Sequence, residues 1–409
     1  MGIKAWIKKV LPDDTIVQMK SLLERRNNKR MCQKAADIRP YDREKYPFGI
    51  NLIGDIKAET GLGQSMRILA GILEQAGIPF CIIQIDSPGG LAHSDRQWEH
   101  RISETASYGI NLIHINPNIW AETYVRFPES LLDGRYQIAY WLWELEEFPK
   151  EWVPCIRTVH EIWAPSEFIC ESIRAVTDKP VAAIPYRLEE MDGAAYQRQH
   201  FGLPEEKFLY LMMYDFKSVS ERKNPKGALE AYKKAFPQEQ EDVGLIIKVN
   251  HVKGSQELQL LKKELQAYKN LYFITDNLSR SEVESLIAQA DVLISLHRSE
   301  GFGLPMAEAM MMETPIVCTN WSATTEFMDS TCACLVDYQL VTLEKRIGPY
   351  PKGSRWADAD TDQAALWIRK LYEEKTFYAQ MAAAGKKKIQ EYLSFDRVRT
   401  ALQERLDNR

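Results

Sequence analysis

The sequence predicts an α/β protein built from two doubly wound, parallel-sheet domains in series behind a helical N-terminal extension. Three observations predict it. Short apolar runs alternate with helical segments in two successive series, a polar break near residues 187–200 separates the series, and in each a glycine-rich turn sits where a strand hands over to a helix. The 409 residues leave room for two or three ordinary domains, and 45% hydrophobic with 27% charged residues is the profile of a globular chain with substantial cores.

Residues 1–47 form the extension. Ile3, Trp6, Ile7, Val10 and Leu11 recur at helical spacing, Lys4, Lys8 and Lys9 lie off that stripe, and Pro12 ends it. A second helical pattern carries Ile16, Met19, Leu22 and Leu23. The first domain, 48–190, has candidate strands at 48–53, 80–85, 110–115, 136–142, 161–164 and 181–184. A helix runs from Gly61 to about Gln75, with Gly77 suited to the position just past its end. The second domain, 200–385, has candidate strands at 208–213, 244–249, 271–275, 291–295, 315–318 and 332–336, with helices at 279–289 and 304–312 among the segments between them. From about Ala364 the chain is helical to its end, closing with a helix at 386–409.

The bulk properties exclude several classes. A net charge of -5 argues against a dedicated nucleic-acid binder. The charge is uneven: residues 1–30 carry about +5 and the remainder about -10. Seven cysteines, with no C-x-x-C, predict reduced thiols and a cytoplasmic setting; Cys332 and Cys334 would share one strand face, too close for a disulfide. No run approaches the ~18 apolar residues of a membrane span, and Pro12, Asp13 and Asp14 cut short any secretory signal.

The chemistry concentrates in 297–310, His-Arg-Ser-Glu-Gly-Phe-Gly-Leu-Pro-Met-Ala-Glu-Ala-Met. This segment follows a strand, so Glu300, Gly301, Phe302 and Gly303 fall at a sheet's C-terminal edge, where open α/β sheets bind ligands. The two glycines admit a ligand close to backbone N–H groups, and Leu304-Pro305 opens a helix whose N-terminus suits a phosphate. Glu300 stands before that helix and Glu308 about one turn inside it; a carboxylate suits the vicinal hydroxyls of a ribose. A tight turn followed by a solvated Glu satisfies the spacing equally well.

This segment resembles the Glu-x7-Glu signature of the family-four retaining glycosyltransferases, and the resemblance continues through Pro315-Ile316-Val317-Cys318-Thr319 to Trp321-Ser322. It implies a GT-B fold, two Rossmann-like domains facing a cleft, with the last helix crossing back to the first domain. It implies that Glu300 and the backbone of Phe302, Gly303 and Leu304 hold the donor sugar and phosphate, and that Glu308 holds the ribose.

Four further motifs fall into place beside it. Ser220-Glu221-Arg222-Lys223-Asn224-Pro225 follows the first strand of the second domain, where fixed cations stabilise a leaving pyrophosphate; alone, such a pair more often coats a surface. It is similar to the family's pyrophosphate site, with Lys248 at the next strand end as a further donor-binding residue. Gly61-Leu62-Gly63-Gln64 opens the first helix without the third glycine of a dinucleotide fingerprint, which disfavours NAD; it resembles the GT-B loop that faces the donor phosphates. His114-Ile115-Asn116 ends a strand at the cleft edge, matching a family position that lines the acceptor and donor sugar, although a lone His is more often structural. Trp141-Leu142-Trp143-Glu144-Leu145 resembles an acceptor-side segment of a bacterial subgroup, with Trp143 and Glu144 as acceptor-binding residues; core aromatics are the plainer alternative.

The resemblance implies a hexosyl transfer from a UDP- or GDP-linked sugar to a glycan, lipid-linked or protein acceptor, with retention of configuration. No cofactor beyond the co-substrate is expected, and no metal, because no D-x-D motif stands beside a strand end and Asp358-Ala359-Asp360 falls in a late loop. A nucleotide-sugar epimerase or a non-catalytic GT-B subunit fits the same fold. The basic arm, residues 3–30, fits either the inner face of a membrane or an apolar surface of protein.

Overall fold

The apolar runs pair as parallel strands in two six-stranded sheets. The computed structural model describes residues 13–86, 93, 95–189, 193–215, 219–236, 241–250 and 256–407. In the first sheet β1 (Ile50–Gly54), β2 (Phe80–Gln84), β3 (Ile110–His114), β4 (Tyr136–Tyr140), β5 (Glu161–Ala164) and β6 (Val181–Ala183) stand in the order β2-β1-β3-β4-β5-β6. In the second, β7 (Phe208–Asp215), β8 (Val243–Asn250), β9 (Leu271–Ile274), β10 (Val292–Ser295), β11 (Ile316–Thr319) and β12 (Cys334–Val336) stand in the order β12-β11-β10-β7-β8-β9. Each chain path starts at an interior strand, winds to one edge, then jumps back across the first strand. The resulting switch points lie between β1 and β3 and between β7 and β10, and loops leaving the strands there part to form a crevice.

Every sequence-predicted strand is present, with ends moved by one or two residues. β1, β3 and β4 are buried along their whole length, as expected of parallel strands covered on both faces. The Gly61–Gln75 helix buries Met66, Leu69, Ile72 and Leu73 on one stripe, each apolar side chain worth about 1.5–3 kcal/mol relative to exposure. Thr60 Oγ1 caps it by accepting from Gly63 N at 3.2 Å, and Gly77, at φ 66°, closes it in the left-handed conformation.

Three details correct the sequence picture. The helical reading of the late chain holds from Thr361, with helices Thr361–Glu373, Lys375–Tyr392 and Phe395–Leu406. Before them stands an antiparallel hairpin, β13 (Tyr338–Thr342) with β14 (Arg355–Ala359), that the parallel-sheet pattern did not predict. Asp358 therefore lies in a strand, paired with Arg298 at 2.7 Å, and Asp360 caps the next helix. Cys332 precedes β12 rather than sharing a strand with Cys334; both are buried free thiols.

The extension contributes the helix Asp13–Asp37, whose later turns pack on the helix Pro117–Arg126. Lys34 Nζ donates to the carbonyl of Val125 at 3.0 Å, and Asn28 Nδ2 to that of Glu151 at 3.3 Å. The stripe Ile3–Leu11 lies outside the described residues.

The two domains are joined by more than the chain. The hairpin residues Leu343, Tyr350 and Trp356 belong to the apolar core on one face of the first sheet. The helix Phe395–Leu406 returns against the Gly61–Gln75 helix, with Arg405 Nε donating to the buried Glu161 at 2.5 Å. Glu326, from the second domain, accepts the backbone N–H groups of Glu167 and Phe168 at 3.1 and 2.8 Å, capping the Glu167–Arg174 helix of the first; Tyr392 donates to the same carboxylate at 2.8 Å. Replacing Glu326 with Ala removes a charged cap and an interdomain tie, and is expected to destabilise the fold by about 1–2 kcal/mol. Thermal unfolding of the variant against the parent checks this.

Candidate active site

Both switch points carry the residues that the sequence singled out. At the end of β7 the short helix Ser220–Lys223 presents Arg222 and Lys223, and Asn224, at φ 50°, turns the chain so that its own side chain caps Pro225–Ala235. At the end of β10 comes the Glu300–Gly303 loop. The two loops meet: Arg222 Nη1 lies 3.0 Å and Lys223 Nζ 2.5 Å from the two oxygens of Glu300. Arg222 also donates to the carbonyl of Ser299 at 2.7 Å. Arg222 and Glu300 are each 6% exposed, so this is a buried ion cluster.

Its electrostatics follow from that burial. Desolvation alone would raise the Glu300 carboxyl, but Arg222, Lys223 and His297 outweigh it and hold the pKa at about 2. Burial opposes the charge on Arg222, and Glu300 and Glu144 overcome it, so its pKa rises. For Lys223 burial wins and its pKa falls.

The loop geometry requires its glycines. A Cβ on Gly301 would sit 2.4 Å from the carbonyl oxygen of Trp143, and Gly303, at φ 95°, has Thr324 Cγ2 at 2.5 Å from the same position. Ser322, itself at φ 69°, accepts from Glu300 N at 2.8 Å through its hydroxyl. The first domain closes over the loop: Ser166 Oγ donates to Gly301 O at 2.6 Å and Ser299 Oγ to the carbonyl of Glu144.

Glu308 lies on the helix Leu304–Met311, buried, with Oε1 2.7 Å from Arg280 Nη1. Leu304 and Pro305 begin that helix, and Phe302 packs edge-on against Tyr186 of the first domain at 4.6 Å between ring centres. Lys248 lies two residues inside the C-terminal end of β8, rather than ending the strand, and is engaged elsewhere, donating to Asn250 Oδ1 at 2.5 Å and to the carbonyl of Asp276 at 2.9 Å; burial lowers its pKa to about 8.

In the first domain, Gly61 is exposed at the helix start and Gly63 is pressed against Ala58, whose carbonyl oxygen would lie 2.0 Å from an added Cβ. His114 Nε2 lies 2.6 Å from Ser65 Oγ, which accepts from Tyr186 OH at 2.7 Å; the ring stacks on Tyr140. Burial lowers the His114 pKa to about 4, so the ring is neutral. Asn116 Oδ1 accepts from Leu142 N at 3.0 Å, fixing the turn that leads to Trp143. The Trp143 indole is buried between Trp152 and Tyr350, so its faces are taken by protein and unavailable for stacking on a sugar in this arrangement. Glu144 accepts from Tyr350 OH at 3.2 Å and lies 3.9 Å from Arg222.

Sequence reasoning missed Ser65, Tyr186, Arg280, Glu326 and Tyr350. Only Ser65 had a local signal, four residues past Gly61 on the same helix; the others reach the site across long sequence separations. A separate group, Asp55, Asp86 and His93, brings possible metal-ligand atoms within 4.8 Å of one another among the described residues. The Gln84 amide donates to both carboxylates, at 2.8 and 2.9 Å, so the protein itself supplies partners there.

With this geometry in hand, comparisons with known proteins give a consistent class. Residues 195–331 match the family described as glycosyl transferases group 1. The crystal structure of Anabaena HepE with UDP-glucose superposes with a TM-score of 0.61 at 15% identity, over 88% of this chain and 100% of that one. Sucrose-phosphate synthase from Thermosynechococcus elongatus gives 0.61 at 14%, over 88% and 98%. TarM from S. aureus, in a complex that includes UDP, gives 0.54 at 12%, over 72% and 54%. A search of curated protein sequences found no match. The architecture is GT-B: two Rossmann-like domains with their switch-point loops opposed.

Removing both cations, Arg222→Ala with Lys223→Ala, strands a buried carboxylate. In the parent, Glu300 stabilises the fold above the ordinary carboxyl range, and that contribution is lost as pH falls toward about 2. In the variant the carboxyl pKa rises, so the cost, on the order of 3–5 kcal/mol, is expected to be larger at pH 8 than at pH 5, where the group can take up a proton. Unfolding midpoints at the two pH values measure it.

Proposed function

We propose that the protein is a glycosyltransferase that moves a hexosyl group from a nucleotide-sugar to an acceptor hydroxyl with retention of configuration. The observation that carries this is the buried Arg222–Lys223–Glu300 cluster at the β7/β10 switch point, two residues before Phe302, whose ring meets Tyr186, the donor to Ser65 beside His114 in the other domain. UDP is the first nucleotide to test, because HepE and TarM were solved with it.

The chemistry asked of each group is modest. Arg222 and Lys223 turn from Glu300 to the pyrophosphate and stabilise the charge that grows as the bond from anomeric carbon to phosphate oxygen breaks. The backbone N–H groups of Gly301–Leu304 and the start of the Leu304–Met311 helix face the same phosphates. Glu300, released from its cations, accepts donor-sugar hydroxyls, and Glu308 accepts those of the ribose. The acceptor oxygen bonds to the anomeric carbon on the face that the leaving group vacates, and its proton passes to the departing phosphate oxygen. No protein base and no metal are needed for that balance. Neutral His114, held by Ser65, can donate or accept a hydrogen bond at the sugar without adding charge. Glu144 and Asn116 lie on the acceptor side. Gly61, Gly63 and Lys248 complete the donor surround.

Glu300→Gln is expected to lower turnover with a modest loss of nucleotide affinity, and Glu308→Gln mainly to weaken nucleotide binding. Loss of the Arg222 and Lys223 charges is expected to cost on the order of 10²–10³ in rate. Steady-state kinetics with a UDP-hexose, product anomer assignment by NMR, and a control without acceptor test these together; conversion of donor without acceptor would point to an epimerase instead.

We further propose that the basic arm, residues 3–30, brings the enzyme to an anionic membrane surface at the cytoplasmic face. No helix among the described residues is long and apolar enough to cross a membrane. The Asp13–Asp37 helix leaves Leu22 and Leu23 exposed at 65% and 54% beside Arg25 and Arg26. Basic residues near such a surface contribute about 1 kcal/mol each. Co-sedimentation with phosphatidylserine vesicles should weaken in Leu22→Ser/Leu23→Ser and in Arg25→Glu/Arg26→Glu; wild-type binding by both variants would reject this.

A further inference from the structure

The second carboxylate of the motif is held by a residue from a different helix. Glu308 is 2% exposed, and its Oε1 lies 2.7 Å from Arg280 Nη1. That oxygen is fully enclosed, and its pairing with Arg280 is a close charge contact. Arg280 is anchored on its other side, with Nε 2.7 Å from Glu284 Oε1.

The guanidinium is placed by rigid backbone. Arg280 is the first residue of the helix Arg280–Gln289, and a capping box fixes that start: Ser279 Oγ accepts from Glu282 N at 3.3 Å while Glu282 Oε2 accepts from Ser279 N at 2.8 Å. Arg280 also lines an interdomain cleft of about 450 Å³ that Gln64 and Arg67 line from the first domain. Arg67 is held there by the carbonyls of Ile56 and Ala58 at 2.8 and 3.1 Å. Arg67 and Arg187 of the first domain and Arg280 of the second thus line one cleft, and Arg280 also reaches Glu308.

We propose that Arg280 is a positioning residue of the nucleotide site, keeping Glu308 ionised and oriented so that its oxygens accept the vicinal ribose hydroxyls of a nucleoside diphosphate. The inference rests on the donor role given to Glu308 above. A buried carboxylate without a cation would take up a proton; burial raises the Glu308 pKa and Arg280 opposes that rise. A protonated carboxyl loses acceptor capacity and cannot receive both hydroxyls equally. A purely structural ion pair between two helices would instead affect stability and leave ribose recognition unchanged.

The test is equilibrium binding of UDP and 2′-deoxy-UDP to the full chain at pH 6 and pH 8. Wild type is expected to favour UDP at both. Arg280→Ala should lose about tenfold or more in UDP affinity at pH 6, the scale of one hydrogen bond to a charged group, with most of the preference over 2′-deoxy-UDP gone and partly restored at pH 8. Arg280→Lys should stay near wild type, and Arg280→Gln serves as the size-matched neutral variant should Ala unsettle the helix. Unchanged UDP affinity in the neutral variants overturns the proposal, and so does an equal loss of both ligands at both pH values. Failure of wild type to bind either UDP or GDP overturns the nucleotide-sugar reading itself, an outcome distinct from failure of Arg280 alone.

Discussion

The ion cluster of Arg222, Lys223 and Glu300 is the constraint around which the rest of the site is arranged. Burying three charges costs several kcal/mol each after relaxation, and their mutual attraction offsets this only with close geometry and further hydrogen bonds. Both are present. Glu300 meets its two cations at 3.0 and 2.5 Å, and Arg222 finds the Ser299 carbonyl besides. The backbone supports this with uncommon conformations, Asn224 and Ser322 at positive φ and Gly303 at 95°, each where a loop must turn back on the cluster. Such positions persist only when the surroundings over-determine them, and here the surroundings are two sheets and a second domain.

The first domain also packs against this cluster. The Trp143 carbonyl, the Glu144 carbonyl and the Ser166 hydroxyl of the first domain all touch the Ser299–Gly301 loop. The β13–β14 hairpin reaches the other way and buries Tyr350 and Trp356 in the first domain's core. The loop that would grip a donor is therefore also the interdomain contact, so occupancy of the site and relative domain position are physically linked.

Much of this was legible in the sequence, for reasons that can be named. Central parallel strands buried on both faces leave continuous apolar runs, and even the half-buried edge strands β6 and β9 keep short apolar runs, so all twelve strands of the two sheets were legible. The Glu300–Glu308 segment was legible because turn glycines, a helix start and two acids at fixed spacing are local. The hairpin was not, because its residues, such as Gln339 and Leu340, are partly solvent-exposed and follow no run. Trp143 illustrates the opposite error: an aromatic near a strand end suggests a sugar platform, yet Phe148 and Trp152 fold back from just downstream and Tyr350 arrives from the distant hairpin to enclose the Trp141–Glu144 segment. Arg280 and Tyr186 belong to the same class, since side chains arriving from other helices leave no local trace.

The charge balance of the cluster indicates how a site this buried can still receive a substrate. Two cations share Glu300, Glu144 lies 3.9 Å from Arg222 as a second and looser carboxylate, and burial presses Lys223 toward its neutral form. A diphosphate entering the site exchanges one anionic partner for another without first exposing the cations to an apolar surround, and it relieves the pressure on Lys223. In the proposed reaction Glu300, which the cations hold ionised in this structure, would become the acceptor for hydroxyls that arrive with the phosphate. The charges that hold the loop together are thus the same set that the proposed reaction would redistribute, so the buried cluster is preorganised for an anion rather than a barrier to one.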